Sequence, residues 1–285
     1  NMPGVASSAT AVLIGQVAAA TETMRVGSGG VMLPNHAPLV IAEQFGTLEA
    51  LHPGRIDLGI GRAPGTDQPT ARALRRTAGP LSADDFPEQL AELGRYFDGA
   101  SAITATPAAG NRPPLWLLGS SDYSARAAGL LGLPFAFAHH FSSENTLPAL
   151  RVYRESFRPS EVLERPYAMI AASVIVAADD DRAQRLAAPG LLSFLRLRTG
   201  RPGLLPSVEE AEAYPYTPFD LEVIRSRASA QIIGGPATVD KQVDRLLEET
   251  AADELMVVTM VHDQADRIRS YEMLAALSTT RPEPK

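Results

Sequence analysis

The feature that most restricts the fold is a regular alternation of short apolar runs with segments of helical pattern. Six runs read as strands: "RVGSGGVML", "RIDLGIG", "PLWLLG", "PFAFA", "YAMIAASVIVA" and "ELMVVTMV". Between them lie stretches whose apolar residues recur at helical spacing, such as "PLVIAEQFGTLEALH" and "DDRAQRLAAPGLLSFLRLR". Near-continuous apolar strands separated by helices predict a parallel sheet covered on both faces. Six strands suit an open doubly wound sheet, whereas a closed (β/α)8 barrel needs eight. Two observations favour the barrel: no strand runs into a dinucleotide fingerprint, and the sequence starts inside a helix with no strand before it. The expected fold is therefore α/β, a (β/α)8 TIM barrel forming one domain over residues 1–285, with its first two strands upstream of Asn1.

Finer punctuation follows the same pattern. Ser7 or Ser8 is expected to cap a helix through "ATAVLIGQVAAATET", and Pro53-Gly54 to stop the helix that begins at Pro38. Two helices are expected around "TARALRR" and "DDFPEQLAELGRYF". Residues 98–113, rich in Ala, Gly, Thr and Pro, read as a surface connection. Residues 199–217, with Pro202, Pro206 and Pro215, read as an inserted loop.

Composition narrows the partners. The 285 residues carry a net charge of −7 and show no basic cluster or basic-aromatic stripe, which argues against nucleic acid or an anionic membrane as partner. No cysteine is present, which excludes disulfides, thiolate nucleophiles and Cys-ligated metals. A reducing cytoplasm fits that composition. No H-x-x-x-H or H-x-H spacing supports a metal site.

Three places carry chemistry. In "VGSGGVMLPNHAP", Val26 to Pro38, glycines stand where a strand should pack side chains, which marks a bulge or a ligand against the backbone. In "LGIGRAPG" the spacing fails as a nucleotide loop, because Pro64 delays the helix that would hold a pyrophosphate. Its Arg62 reads equally as a cation at the mouth of a barrel or as the partner of Asp67. In "WLLGSSDYSARAAG", Gly119, Ser120, Ser121 and Ser124 surround a helix N-terminus suited to a phosphate, the plain alternative being helix capping. Histidines follow three strands: His36 after the glycine strand, His139-His140 after "PFAFA", and His262 after "ELMVVTMV". Singly each is a loop His bonded to a carbonyl; together at one barrel mouth they suit proton transfer or substrate orientation. His52, at a helix C-terminus, reads as structural. Trp116 and Phe137 read as core residues able to line a pocket.

With "VGSGGVMLPNHAP", "AEQFGTLEALHPGRIDLGIGRAPG", "WLLGSS" and "ADELMVVTM" in order, the sequence resembles the luciferase-like monooxygenases, the flavin-dependent superfamily of bacterial luciferase. The resemblance implies a (β/α)8 barrel with a reduced flavin, usually FMN, at its C-terminal mouth. By motif, Gly29-Gly30 match the strand end beneath the isoalloxazine, where relatives have a non-prolyl cis peptide. Arg62 matches a flavin-contacting arginine, and Ser120 and Ser121 fall where relatives hold the flavin phosphate. Members that use a deazaflavin share this framework, so FMN and deazaflavin stay open. Relatives carry a Glu-His-His segment just before the residues matching Asn1 to Gly4, and this sequence does not include it. Gly61 stands where luciferases place a Cys beside the flavin, so light emission is not implied.

The implied activity is that of a two-component monooxygenase. A separate flavin reductase, docking transiently, supplies reduced FMN, since no NAD(P)H-binding motif is present. O2 then oxidises a small apolar organic substrate; aldehyde, sulfonate, terpenoid and polyketide acceptors all fit. His139, His140 or His262 manages protons or orients the substrate, in a cytoplasmic homodimer. A deazaflavin-dependent hydride-transfer oxidoreductase is one rival. A flavin-binding protein without turnover is another, favoured by the missing Glu-His-His segment.

Overall fold

The computed structural model describes residues 4–63, 70, 73–74 and 85–278. They form two compact units: the first comprises Ala6–Ala136 and Arg151–Tyr167, the second Met2–Val5, Phe137–Leu150 and Ala168–Lys285.

The first unit is built on parallel strands β1 (Val26–Gly27), β2 (Val31–Met32), β3 (Ile56–Gly61) and β4 (Leu115–Gly119). β1 and β2 both pair with β3, and β3 pairs with β4. Helices α1 (Thr10–Ala19), α2 (Pro38–Leu51), α3 (Phe86–Phe97) and α4 (Asp122–Leu131) accompany them. Ile56, Leu58, Ile60 and Leu117 from the strands and Phe45 and Leu93 from the helices are buried, as near-continuous apolar strands require. Strand β5 (Phe135–Phe137) and helix α5 (Thr146–Ser156) carry residues of both units. Most of the helix "TARALRR" and the residue Asp67 lie outside the described residues.

Two local expectations are corrected. α1 starts at Thr10 after Ala9, with no side-chain cap; neither Ser7 nor Ser8 supplies one, and Thr10 Oγ1 instead donates to the Ser7 carbonyl at 3.0 Å. The segment 98–113 is not merely superficial, since Ala105 and Ala108 are fully buried. Ala108 packs against Gly46 of α2 so closely that a Cβ at Gly46 would overlap it. Small residues on both sides let the backbones approach.

The glycine strand is where this unit departs from regular geometry. Gly27 pairs with Asp57 and Val31 with Ile60, so four steps on one strand face three on the other. That single extra residue is a bulge over Ser28-Gly29-Gly30, and the Gly29–Gly30 peptide is cis, as the resemblance implied. The bulge breaks the ladder, and a side chain repairs it. Ser28 Oγ accepts from Gly59 N–H at 3.0 Å and donates to the Gly59 carbonyl at 2.9 Å, all of it buried. Ser28→Ala leaves the buried Gly59 N–H without that acceptor and should cost about 1–3 kcal/mol. A urea midpoint equal to that of the parent would show the bond to be dispensable.

The second unit centres on β6 (Ala168–Val176). Its residues Met169–Ser173 pair in parallel with β8 (Glu254–Val258), and Val174–Val176 pair with β7 (Ile232–Gly234). β7 was absent from the expected strands. "QIIGG" offers only two apolar residues before the glycines, too few to show any period. Tertiary pairing with β6 makes it a strand. Helices α6 (Asp180–Arg198), α7 (Val208–Glu212), α8 (Pro218–Ala228), α9 (Pro236–Thr250) and α10 (Gln264–Ser278) follow. Asp179 caps α6 by accepting from Arg182 N–H at 2.7 Å. The stretch 199–217, expected as a loop, contains α7 with a complete capping box between Ser207 and Glu210. An Arg185–Glu212 ion pair at 2.8 Å ties α7 to α6.

Candidate functional site

In the first unit three strand ends lie side by side. Met32 of β2 is level with Gly61 of β3, and Gly61 is level with Leu118 of β4. Because the strands are parallel, all three present their C-terminal ends together. The glycines there have different reasons to exist. A Cβ on Gly30 would stand 2.8 Å from the Gly59 carbonyl oxygen and 3.2 Å from Leu118 Cδ2, so Gly30 is demanded by packing. A Cβ on Gly29 would meet no described atom within 4 Å. Gly29 thus presents bare backbone to open space.

Arg62 follows β3 directly. Its guanidinium carbon lies 3.8 Å from the centroid of the Tyr123 ring, in the first turn of α4, a cation–π contact. No described carboxylate pairs with it. The start of α4 has equally uncommitted groups. Ser121 occupies the N-cap position with extended backbone, yet its side chain makes no capping bond. Ser120 and Ser121 are exposed. Ser124 packs over Gly119, where any Cβ would collide with it. Plain capping therefore fails as the explanation of the Gly-Ser-Ser run. The N–H groups of this first turn favour an anion, a preference that Asp122 in the same turn opposes. The structure thus brings Gly29, Gly30, Arg62, Gly119, Ser120, Ser121 and Ser124 onto neighbouring strand ends of one unit. Tyr123, which orients Arg62, carried no signal in the sequence. Trp116 donates from Nε1 to Asp57 Oδ1 at 3.3 Å and meets Tyr167 edge-on, and Phe137 is fully buried.

The histidines of the second unit are held by different partners. His140 Nδ1 lies 2.8 Å from the Ala171 carbonyl oxygen, which only accepts, so Nδ1 carries the hydrogen and the neutral ring keeps Nε2 as an acceptor. Its ring also packs on Phe141, with centroids 4.1 Å apart. His139 Nδ1 lies 2.8 Å from Thr146 Oγ1. Burial pushes both imidazoles below their ordinary pKa; the His140 charge adds to this for His139 and the Arg227 charge for His140. The Ala171 carbonyl works the other way on His140, and Glu144 on His139. His262 is exposed, and its Nδ1 donates to the Leu205 carbonyl at 3.1 Å, tying the 199–217 segment to the chain beyond β8. Arg227 escaped the sequence reading, because "DLEVIRSRAS" shows it only as one more polar helix residue.

In the first unit His36, after a short 3-10 turn, is likewise pushed down by burial. Since His36, His139 and His140 all sit below the ordinary value of 6.5, the unfolded chain takes up protons there before the folded one does. Stability from these groups is complete above that value and is lost as the pH falls through the folded values. The melting temperature should drop between pH 7.5 and pH 5.5, and His140→Gln should make the drop shallower. Parallel curves for the two proteins would remove His140 from the effect.

Adjacent C-terminal strand ends with a cation and a helix N-terminus beside them are where parallel β/α enzymes place their ligands. Comparison with known proteins gives the family. The family model for luciferase-like monooxygenases matches residues 1–254. The YvbT protein of Bacillus subtilis strain 168 is 53% identical over 280 residues, covering 96% of this chain and 82% of its own. A luciferase-like monooxygenase of Escherichia coli K12 is 47% identical, with 96% and 82% covered. Among solved structures, apo-MsnO8 superposes with a TM-score of 0.85 at 39% identity, covering 95% of this chain and 83% of its own. The oxygenating constituent of 3,6-diketocamphane monooxygenase from Pseudomonas putida, solved with FMN, gives 0.69 at 19% identity, with 96% and 84% covered. An F420-dependent secondary alcohol dehydrogenase gives 0.61 at 15%, with 94% and 83% covered. The chain belongs to the luciferase-like monooxygenase family, and so to the oxidoreductases with its (β/α)8-barrel fold. No helix among the described residues is long and apolar enough to cross a membrane.

Proposed function

We propose that this chain is the oxygenating component of a two-component system that uses reduced FMN and O2 to oxidise a small, largely apolar organic substrate. The observation that carries the reading is the bare backbone at Gly29, on the same group of strand ends as an arginine with no acidic partner among the described residues and a helix N-terminus whose Ser121 is not spent on capping. These residues fit a flavin: Gly29-Gly30 as the floor for the ring, Arg62 as the charge beside it, and Ser120, Ser121 and the first N–H groups of α4 as the phosphate cradle. Reduced flavin, when bound, supplies the two electrons with which O2 yields one oxygen atom to the substrate and one to water. His140 presents Nε2 as a proton acceptor, and His139 beside it in sequence shares that task. His262 holds the 199–217 segment, which excludes water. A separate reductase delivers the reduced FMN, and the protein works as a cytoplasmic homodimer.

Support for FMN comes from the P. putida neighbour solved with it. The F420-dependent neighbour makes a deazaflavin oxidoreductase the rival. Titration of the full chain with photoreduced FMN and with reduced deazaflavin, followed by ¹⁸O2 in the presence of a long-chain aldehyde and an alkyl thioether, separates them. Binding of reduced FMN and one ¹⁸O atom in the product is expected. Binding of the deazaflavin alone, with hydride transfer and no oxygen uptake, would sink the proposal.

A further inference from the structure

Within the second unit, His140 and Arg227 share a contact that the chemistry above leaves unexplained. His140 is fixed at three points. Its backbone N–H and its Nδ1–H both donate to the Ala171 carbonyl, each at 2.8 Å, and that oxygen has two lone pairs to receive them. Ala171 lies level with Met256 where β6 pairs with β8, so the acceptor belongs to the sheet. The third point is the His140 carbonyl, which accepts from Nη1 of Arg227 in the last turn of α8.

A neutral donor would serve that carbonyl, and an arginine is an expensive one. Arg227 is half-buried, with its guanidinium carbon 4.8 Å from the Phe194 ring centroid. Its Nε is enclosed without a hydrogen-bond partner, and no described carboxylate pairs with it. A charge kept partly from water without a counterion is unfavourable for the fold alone. Helix-dipole compensation does not require it either, because Arg225 stands exposed in the same last turn. What the charge does change is its neighbour. A cation close to an imidazole disfavours the imidazolium, and a proton acceptor has to be unprotonated at the working pH. We infer that Arg227 is a positioning residue for His140: it holds the backbone of that residue and keeps the ring neutral, with Nδ1 protonated and Nε2 open. Burial acts on the ring in the same direction and the Ala171 carbonyl against it. Arg227 is the charged group that acts on His140, while Glu144, on the same segment, acts on the neighbouring His139. The use of this arrangement in catalysis rests on the proton-acceptor role proposed for His140, but the positioning itself is measured without flavin, substrate or O2.

The full chain, Arg227→Gln and Arg227→Lys are labelled with ¹⁵N-histidine and followed by long-range ¹H–¹⁵N spectra from pH 5 to pH 8, with thermal melts to show that each folds. The ring signals missing from His140→Gln assign the residue. In the parent, His140 should show a protonated Nδ1 and a bare Nε2 at pH 7 and should titrate below the ordinary 6.5. Arg227→Gln should raise that midpoint by at least about half a pH unit, roughly a threefold change in proton affinity. Arg227→Lys, which keeps the charge, should recover most of the difference. An arginine with a merely structural role would lower the melting temperature and leave the midpoint where it was. A parent His140 that is charged at pH 7, or that carries its hydrogen on Nε2, would overturn the inference, even if Arg227→Gln failed to fold. Equal midpoints in the parent and a folded Arg227→Gln would overturn it too. Full oxygen transfer by His140→Gln, with the titration difference intact, would support the positioning and count against the proton-acceptor role alone.

Discussion

Gly59→Ala is expected to destabilise the protein by about 3 kcal/mol or more, lowering the melting temperature by roughly 6–10 °C for a chain of this length. The cause is backbone against backbone. A Cβ at Gly59 would fall inside the Ser28 carbonyl oxygen and 2.9 Å from Leu118 Cδ1. Leu118 could rotate away; the Ser28 peptide could move only by giving up the two bonds its hydroxyl makes to Gly59. Overpacking of this kind exceeds the usual cost of an inserted methyl, because no flexible side chain is available to yield. Gly94→Ala is the control. Gly94 lies within α3 with nothing within 4 Å of its Cβ position, so alanine should stabilise by roughly 0.5–1 kcal/mol. If Gly59→Ala melted with the parent, the close approach of the glycine strand to β3 would not exist in solution.

Arg62→Ala is expected to weaken FMN binding by about 1.5–3 kcal/mol, a 10- to 150-fold rise in Kd, while leaving the fold intact. Arg62 is half-buried after a strand end and lies over the Tyr123 ring, with no carboxylate paired to it among the described residues. Removing it therefore breaks no ion pair among the described residues, and the melting temperature should stay within a few degrees. Arg62→Lys should fall between, since an ammonium cannot stack on Tyr123 as a planar guanidinium does. Equilibrium titration with FMN, followed by flavin fluorescence, reads the difference. An unchanged Kd in Arg62→Ala would take Arg62 out of the flavin site and leave the Tyr123 contact as its whole purpose.

Much of the architecture was legible because it is written locally. Helical spacing foretold α6 to the residue at both ends, Asp180 and Arg198, and apolar runs located β3, β4, β5, β6 and β8. The bulge in "VGSGGVML" was legible too, since glycines in a strand have few other uses. What escaped depended on partners distant in sequence. β7 is a strand only because Val174–Val176 lies beside it. Ala105 and Ala108 are core only because Gly46 lets them in. Capping of α1 by serine failed because the helix begins two residues later than Ser8, at Thr10.

The candidate site divides along the same line. The residue types and order in "VGSGG", "GIGR" and "LLGSS" were enough to nominate Gly29, Gly30, Arg62, Gly119, Ser120, Ser121 and Ser124. Sequence alone left Arg62 between two uses and could not separate Gly29 from Gly30. Packing distinguished them: Gly30 faces the Gly59 carbonyl, while Gly29 faces open space. It also showed that Ser121 makes no capping bond, and that Arg227 meets the His140 carbonyl across 87 positions of sequence with no carboxylate paired to it among the described residues. Periodicity and turn chemistry act between near neighbours, so one dimension records them. Which side of a glycine is crowded, and which charge lacks a partner, depends on atoms brought together by folding, and only the tertiary structure decides it.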